Sequence, residues 1–236
     1  MGRVRCPTFL IGEMMQTTTW QQEKYNGQIF KLTEEVCPCV YTIADEETAQ
    51  ELVKDLTGQK LALVTIDGIT WEDELSPWLV AKAFHGGQDF TGGADKFIAF
   101  LEERLVPKAE QGLGFVPTYR VMAGYSLAGL FSLYTLYKTS IFQRIVCASG
   151  SLWYDGFVDF MKAKQLQKLP DKIYLSLGDK EKITKNKRLA AVEERTLEAE
   201  QVLRQQGITT IFEKNQGGHF LDTTERVAKG IRWVLK

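Results

Sequence analysis

Hydrophobic and polar positions along the chain alternate between two regimes. Apolar runs of strand length occupy residues 39–43, 61–66, 121–123, 144–149, 172–177 and 209–213, and the stretches between most of them repeat apolar residues at helical spacing. Asp45 caps a predicted helix whose positions Ala49, Leu52, Val53 and Leu56 share one face before Gly58 ends it. Further helices are predicted from about Asp95 to Leu105, stopped by Pro107, and after Ser126, where Leu127, Leu130, Phe131, Leu133 and Leu136 bury a broad face. A long one runs from about Lys185 to Gln206, and a C-terminal one carries Val227, Ile231 and Val234 behind a capping box of Asp222 and Glu225. The first 35 or so residues read instead as antiparallel edge strands, 17–20 and 29–32, around Asn26-Gly27. The pattern predicts an α/β protein with a mainly parallel central sheet covered on both faces, a three-layer α/β/α sandwich with antiparallel N-terminal strands. No repeat or linker interrupts it, so residues 1–236 are expected to form one domain.

Charge changes this picture little. Twenty-nine lysines and arginines against 30 acidic residues, without a long run of one sign, give no electrostatic reason to expect nucleic acid or an anionic membrane. A small-molecule partner is expected, and a homo-oligomer is compatible with the composition. Cys6, Cys37, Cys39 and Cys147 lack metal-ligand spacing, and Cys37-Pro-Cys39 lacks the two-residue gap of a redox pair, so reduced thiols in a cytoplasm, with no metal and no cofactor, are the expectation. The N-terminal apolar run is too short before Glu13 for a signal peptide, and no later run reaches spanning length.

Candidate chemistry centres on Gly124-Tyr125-Ser126-Leu127-Ala128, where a strand turns directly into a helix. Such a turn strains the serine backbone and tolerates only small residues two before and two after it, here Gly124 and Ala128. The pentapeptide is common by chance; its place between a buried strand end and a helix makes Ser126 a candidate nucleophile. A serine hydroxyl needs a base, and the chain has two histidines, His85 and His219. His219 follows the last strand, where a loop can bring it over Ser126, whereas His85 precedes the serine and reads as a surface or pocket residue. In the order serine, acid, histidine, the acid that fixes the imidazole tautomer should follow the strand after the elbow unit, and both Asp179 and Glu181, behind the run at 172–177, qualify. The Leu127 amide and an amide of the Gly68-Ile69 loop are candidate oxyanion donors. Residues 67–78 read as a long irregular loop with two tryptophans, and Trp71, Tyr125 and Trp153 are candidate substrate contacts, with Trp78 and Tyr154 as further aromatic positions. The glycines of residues 86–93 lack a GxGxxG or Walker pattern and read as a flexible loop and helix entry; whether that loop closes over substrate is open.

Asp67-Gly68-Ile69, Gly92-Gly93-Ala94-Asp95, Gly124-Tyr125-Ser126-Leu127-Ala128-Gly129, Gly150-Ser151 with Trp153, Gly178-x-x-Glu181 and Gly217-Gly218-His219 together resemble one esterase family. It belongs to the α/β-hydrolase superfamily and includes esterase D, feruloyl esterases and enterochelin-type siderophore esterases. The resemblance runs from about Cys39 to the C-terminus. It implies the α/β-hydrolase fold, Ser126 as nucleophile, His219 as base and the backbone amides of Ile69 and Leu127 as the oxyanion hole. It also favours Glu181 as the acid, with Asp179 in reserve, because relatives place the acid three residues after the glycine that ends this strand. Two departures are Ala128 where glycine is usual and glutamate where many relatives have aspartate. The expected activity is hydrolysis of a carboxylic ester or thioester through an acyl-enzyme. The rivals are acyl transfer on the same triad and a non-catalytic ligand-binding member of the fold.

Overall fold

The computed structural model describes residues 16–83 and 86–236. Two antiparallel strands, β1 (Gln16–Gln22) and β2 (Tyr25–Lys31), lead into β3 (Cys39–Ile43), α1 (Glu46–Asp55) and β4 (Ala62–Ile66). The short helix α2 (Trp71–Glu74) and a two-stranded ribbon, β5 (Leu79–Val80) with β6 (Phe90–Thr91), precede α3 (Ala94–Phe100) and α4 (Val106–Leu113). There follow β7 (Arg120–Tyr125), α5 (Leu127–Thr135), β8 (Arg144–Ala148), α6 (Phe157–Ala163), β9 (Lys172–Gly178), α7 (Lys187–Ala190), α8 (Val192–Gln205), β10 (Thr209–Asn215) and α9 (Thr223–Leu235). One eight-stranded sheet has the order β1-β2-β4-β3-β7-β8-β9-β10, antiparallel through β1, β2 and β4 and parallel from β4 to β10. The expected mainly parallel sheet with antiparallel N-terminal strands is therefore present.

The two-residue period of each strand divides the core. Met122, Ile145, Cys147, Ile173 and Leu175 face one layer, which packs on α3, α4 and α5. Their neighbours Val121, Ala123, Val146, Ala148 and Tyr174 face the other, beneath α1 and α9. Burial on both faces is why these strands read as unbroken apolar runs. Asp45 caps α1 as expected, accepting the Thr48 N–H at 2.9 Å. Cys37, Cys39 and Cys147 are free and buried, while Cys6, His85 and the N-terminal segment before Gln16 lie outside the described residues. No helix among the described residues is long and apolar enough to cross a membrane.

Several elements depart from the pattern. Pro107 does not stop the helix: Leu101–Leu105 forms a π-helical turn, the Val106 N–H donates to the Leu101 carbonyl, and Pro107 falls in the first turn of α4, where its missing N–H is harmless. The long helix expected at 185–206 is broken at Ala191 into α7 and α8. Residues 67–78 are less irregular than expected, since α2 forms within them, and α6 has no counterpart in the reading. The capping box of α9 does not form. Asp222 sits in the left-handed region (φ 52°), a conformation aspartate tolerates and the incoming loop requires, and Glu225 instead pairs with Arg232 at 2.8 Å. Finally, α5 is buried along its whole length rather than on one face.

Candidate active site

Ser126 joins β7 to α5 with φ 58° and ψ −122°, a backbone conformation that costs free energy and is held by its surroundings. Its N–H donates to the Ala148 carbonyl at 3.1 Å, and its carbonyl accepts the N–H groups of Leu130 (3.1 Å) and Ser151 (2.9 Å). A Cβ on Gly124 would overlap the Ala128 carbonyl, so glycine is required there, whereas the methyl of Ala128 is accommodated and buried. The serine hydroxyl is thereby presented at the C-terminal end of β7. Leu127 opens the helix, so its N–H lacks an i−4 carbonyl partner.

His219 lies in the loop after β10, with Nε2 2.9 Å from Ser126 Oγ and Nδ1 2.7 Å from Glu181 Oε2. The side chain of Glu181, after β9, is 4% exposed, and its other oxygen accepts the Gly178 N–H (2.7 Å) and Arg226 Nη1 (2.9 Å). Burial alone would push this carboxyl up; the hydrogen bonds from His219 and the Gly178 amide outweigh it and hold the group below the ordinary carboxylate value. Asp179 faces elsewhere: its carboxylate accepts the Gly217 N–H at 2.8 Å and ties the His219 loop to the end of β9. Of the two carboxylates left open by spacing, Glu181 is the one that touches the imidazole.

Arg226 was not singled out by the sequence. It is 1% exposed, projects from the first turn of α9, and donates to Glu181, Ser149 Oγ (3.0 Å), Tyr125 OH (3.2 Å) and the carbonyls of Gln216 (2.8 Å) and Gly218 (3.0 Å). Tyr125 donates its hydroxyl to the His219 carbonyl, and its ring packs against the imidazole at 5.3 Å. Ser151, which the sequence offers only within the Gly150-Ser151 motif, has its hydroxyl buried 3.4 Å from Ser126 Oγ.

The cleft has two lobes that meet at Ser126, His219, Trp71 and Phe220. One, of about 500 Å³, is lined by Ile43, Leu52, Ile69, Tyr125 and several threonines. The other, of about 490 Å³, is lined by Phe90, Trp153, Ile183, Leu189, Leu127 and Lys180. Candidate contacts Trp71, Tyr125 and Trp153 therefore all line the cleft, although the Tyr125 hydroxyl is engaged by the histidine loop. Trp78 is turned away, its indole N–H donating to the Asp155 carbonyl and its ring packed on Tyr134 and Phe160. The loop that carries Ile69 is pinned by Glu74, whose carboxylate accepts the Thr70 N–H (2.7 Å), Lys24 Nζ (2.8 Å) and the Tyr25 hydroxyl. Gly68, at φ 83°, lets this loop pass against the Lys24 carbonyl.

A hydroxyl on a strained turn, an imidazole beside it and a buried carboxylate behind the imidazole form an arrangement able to move a proton off serine. Among the described residues, no group of three or more His, Cys, Asp or Glu side chains could hold a metal ion. The chain is 27% identical over 153 residues to the uncharacterized protein YbbA of Bacillus subtilis, covering 64% of this chain and 61% of that one. It is 30% identical over 152 residues to the ferri-bacillibactin esterase BesA of the same organism, covering 61% and 52%. The matches thus span less than two thirds of either relative. In three dimensions it is similar to the siderophore hydrolase EstB of Aspergillus nidulans, with a TM-score of 0.76 at 17% identity over 97% of this chain and 98% of that one, which establishes the α/β-hydrolase arrangement of the sheet. Residues 40–222 match the model of the family described as Putative esterase, and the chain belongs to that family.

Proposed function

We propose that the chain is a serine hydrolase that cleaves a carboxylic ester or thioester through an acyl-enzyme. The observation that carries this reading is the continuous line from Glu181 through His219 to Ser126, with hydrogen-bond lengths of 2.7 and 2.9 Å, at the junction of the two lobes. Ser126 Oγ attacks the acyl carbon while His219 Nε2 takes its proton. Glu181 holds Nδ1–H and stabilises the imidazolium as it forms, and the Ile69 and Leu127 amides receive the oxyanion. The imidazolium then returns the proton to the leaving oxygen or sulfur, and water resolves the acyl-enzyme by the same steps in reverse.

The relatives' names bring siderophore esters into view, and the lining of the cleft bears on them. Among the described residues that line it, Lys180 is the one lysine or arginine, against Asp45, Asp67, Glu72 and Glu181. A strongly anionic substrate would meet more like charge than opposite charge, so a neutral ester with an aryl or sugar-linked acyl group suits the aromatic walls better. Hydrolysis of p-nitrophenyl acetate by the purified protein is the direct test. Ser126→Ala is expected to lower kcat by about 10⁴-fold or more, and full activity in that variant would refute the assignment.

A further inference from the structure

Arg226 is among the largest fully buried side chains of the molecule, and an unpaired guanidinium in that position would be strongly unfavourable. Its surroundings remove most of that cost. Nη1 donates to Glu181 Oε1, Ser149 Oγ and Tyr125 OH, and Nη2 donates to the carbonyls of Gln216 and Gly218. The partners come from every segment that carries a reacting group. Tyr125 immediately precedes Ser126, Gln216 and Gly218 precede His219, and Glu181 is the carboxylate on the imidazole. Gly178 leaves the space that the guanidinium occupies, since a Cβ there would come 3.0 Å from both Nη atoms. Residue 226 also lies beyond the stretch matched by the family model, which ends at 222.

We propose that Arg226 is the positioning residue of this site, setting Glu181 and the His219 loop in register with Ser126 and offsetting the carboxylate charge so that the imidazole is free to act as a base. The inference rests on the proposed hydrolase reading. Two physical effects are joined in it. The planar fork of guanidinium ties four chain segments at once, those of Tyr125, Ser149, Glu181 and Gln216–Gly218, which the single point charge of lysine cannot do. Its positive charge also opposes the field of Glu181 at the imidazole, since Arg226 Nη1 lies 2.9 Å from Oε1 while His219 Nδ1 bonds Oε2. Among the described residues, the other charged or titratable groups around the imidazole are Tyr125, whose hydroxyl bonds the His219 carbonyl, Asp179, which bonds the Gly217 amide, Lys180 and Glu72 in one adjoining lobe, and Asp45 and Asp67 in the other.

Arg226→Lys and Arg226→Met separate the two effects. Steady-state hydrolysis of p-nitrophenyl acetate would be measured from pH 5 to 9, with folding checked by circular dichroism. Arg226→Lys keeps the charge and loses the fork: kcat is expected to fall about 100-fold with KM little changed and the acid limb of kcat/KM in place. Arg226→Met loses both, so the acid limb should also move about one unit toward higher pH. A folded lysine variant with kcat within twofold of wild type overturns the inference, as does a folded methionine variant whose acid limb stays put. If the methionine variant fails to fold, the lysine variant decides. Absence of hydrolysis in the wild type would overturn the hydrolase reading itself, whereas an active wild type with unaffected Arg226 variants overturns this inference alone.

Discussion

At the scale of single residues the two carboxylates after β9 make contrasting predictions. Glu181→Gln removes the negative charge behind the imidazole and offers an amide NH2 that can face Nδ1 and favour the wrong tautomer, and on the proposed reading it is expected to lower kcat by about 10³- to 10⁴-fold on any ester the wild type cleaves. It also strands a buried guanidinium, so a loss of about 3–5 kcal/mol in urea-unfolding stability should accompany it. Asp179→Asn keeps an acceptor for the Gly217 amide and should reduce kcat by less than about tenfold. Reversal of this order would transfer the acid role to Asp179. The proximity of the candidate residues was legible where choice was narrow: two histidines and one strand-to-helix serine left few pairings, and the fold brings Ser126 and His219 to 2.9 Å. The choice of Glu181 came from resemblance, since spacing alone left both acids open. Arg226 escaped because it lies at the edge of the apolar arc formed by Val227, Gly230, Ile231 and Val234, where an arginine reads as a solvated rim.

At the scale of elements, what the sequence could not show were features imposed by neighbours. The buried strands were readable because each is apolar on both faces, and α1 because its cap and periodicity agree. By contrast, D-x-x-E at the start of α9 has the spacing of a capping box, yet the turn from His219 forces Asp222 into a left-handed conformation that takes its side chain off the helix. The proline at 107 is likewise absorbed by a π-helical turn that no local signal announces. The loop before α2 depends on its tertiary anchor in the same way. Glu74→Ala would release Lys24, Tyr25 and the Thr70 amide together and loosen the segment bearing Ile69. If the Ile69 amide receives the oxyanion as proposed, a fall in kcat of about tenfold or more, read on the same ester with the protein still folded, is the expected outcome, because a displaced donor weakens transition-state binding.

For the whole molecule, acid is the informative perturbation. The Glu181 carboxyl is held below its ordinary value of 4.5 in the native state, so the folded protein releases this proton more readily than the unfolded chain. Its contribution to stability is complete above the ordinary glutamate range and is lost as pH falls through the lower native value. Urea midpoints measured from pH 7 downward should therefore decline below about pH 4.5, and more steeply in wild type than in Glu181→Gln. The depressed surface carboxylates Asp45, Glu193 and Glu198 would keep part of the slope in both proteins.

The order of elements along the chain gives the placement of Arg226 one more meaning. Ser126 and its elbow belong to β7 and α5, whereas His219 and Arg226 belong to the loop after β10 and to α9, the last elements in chain order. A ribosome making this protein completes the serine and its strained turn some ninety residues before the imidazole, and a hundred before the guanidinium, that would arm it. On the proposed hydrolase reading, the growing chain carries through that interval a serine without its proton acceptor, so esters around it during synthesis would meet an inert surface until β10 and α9 have docked.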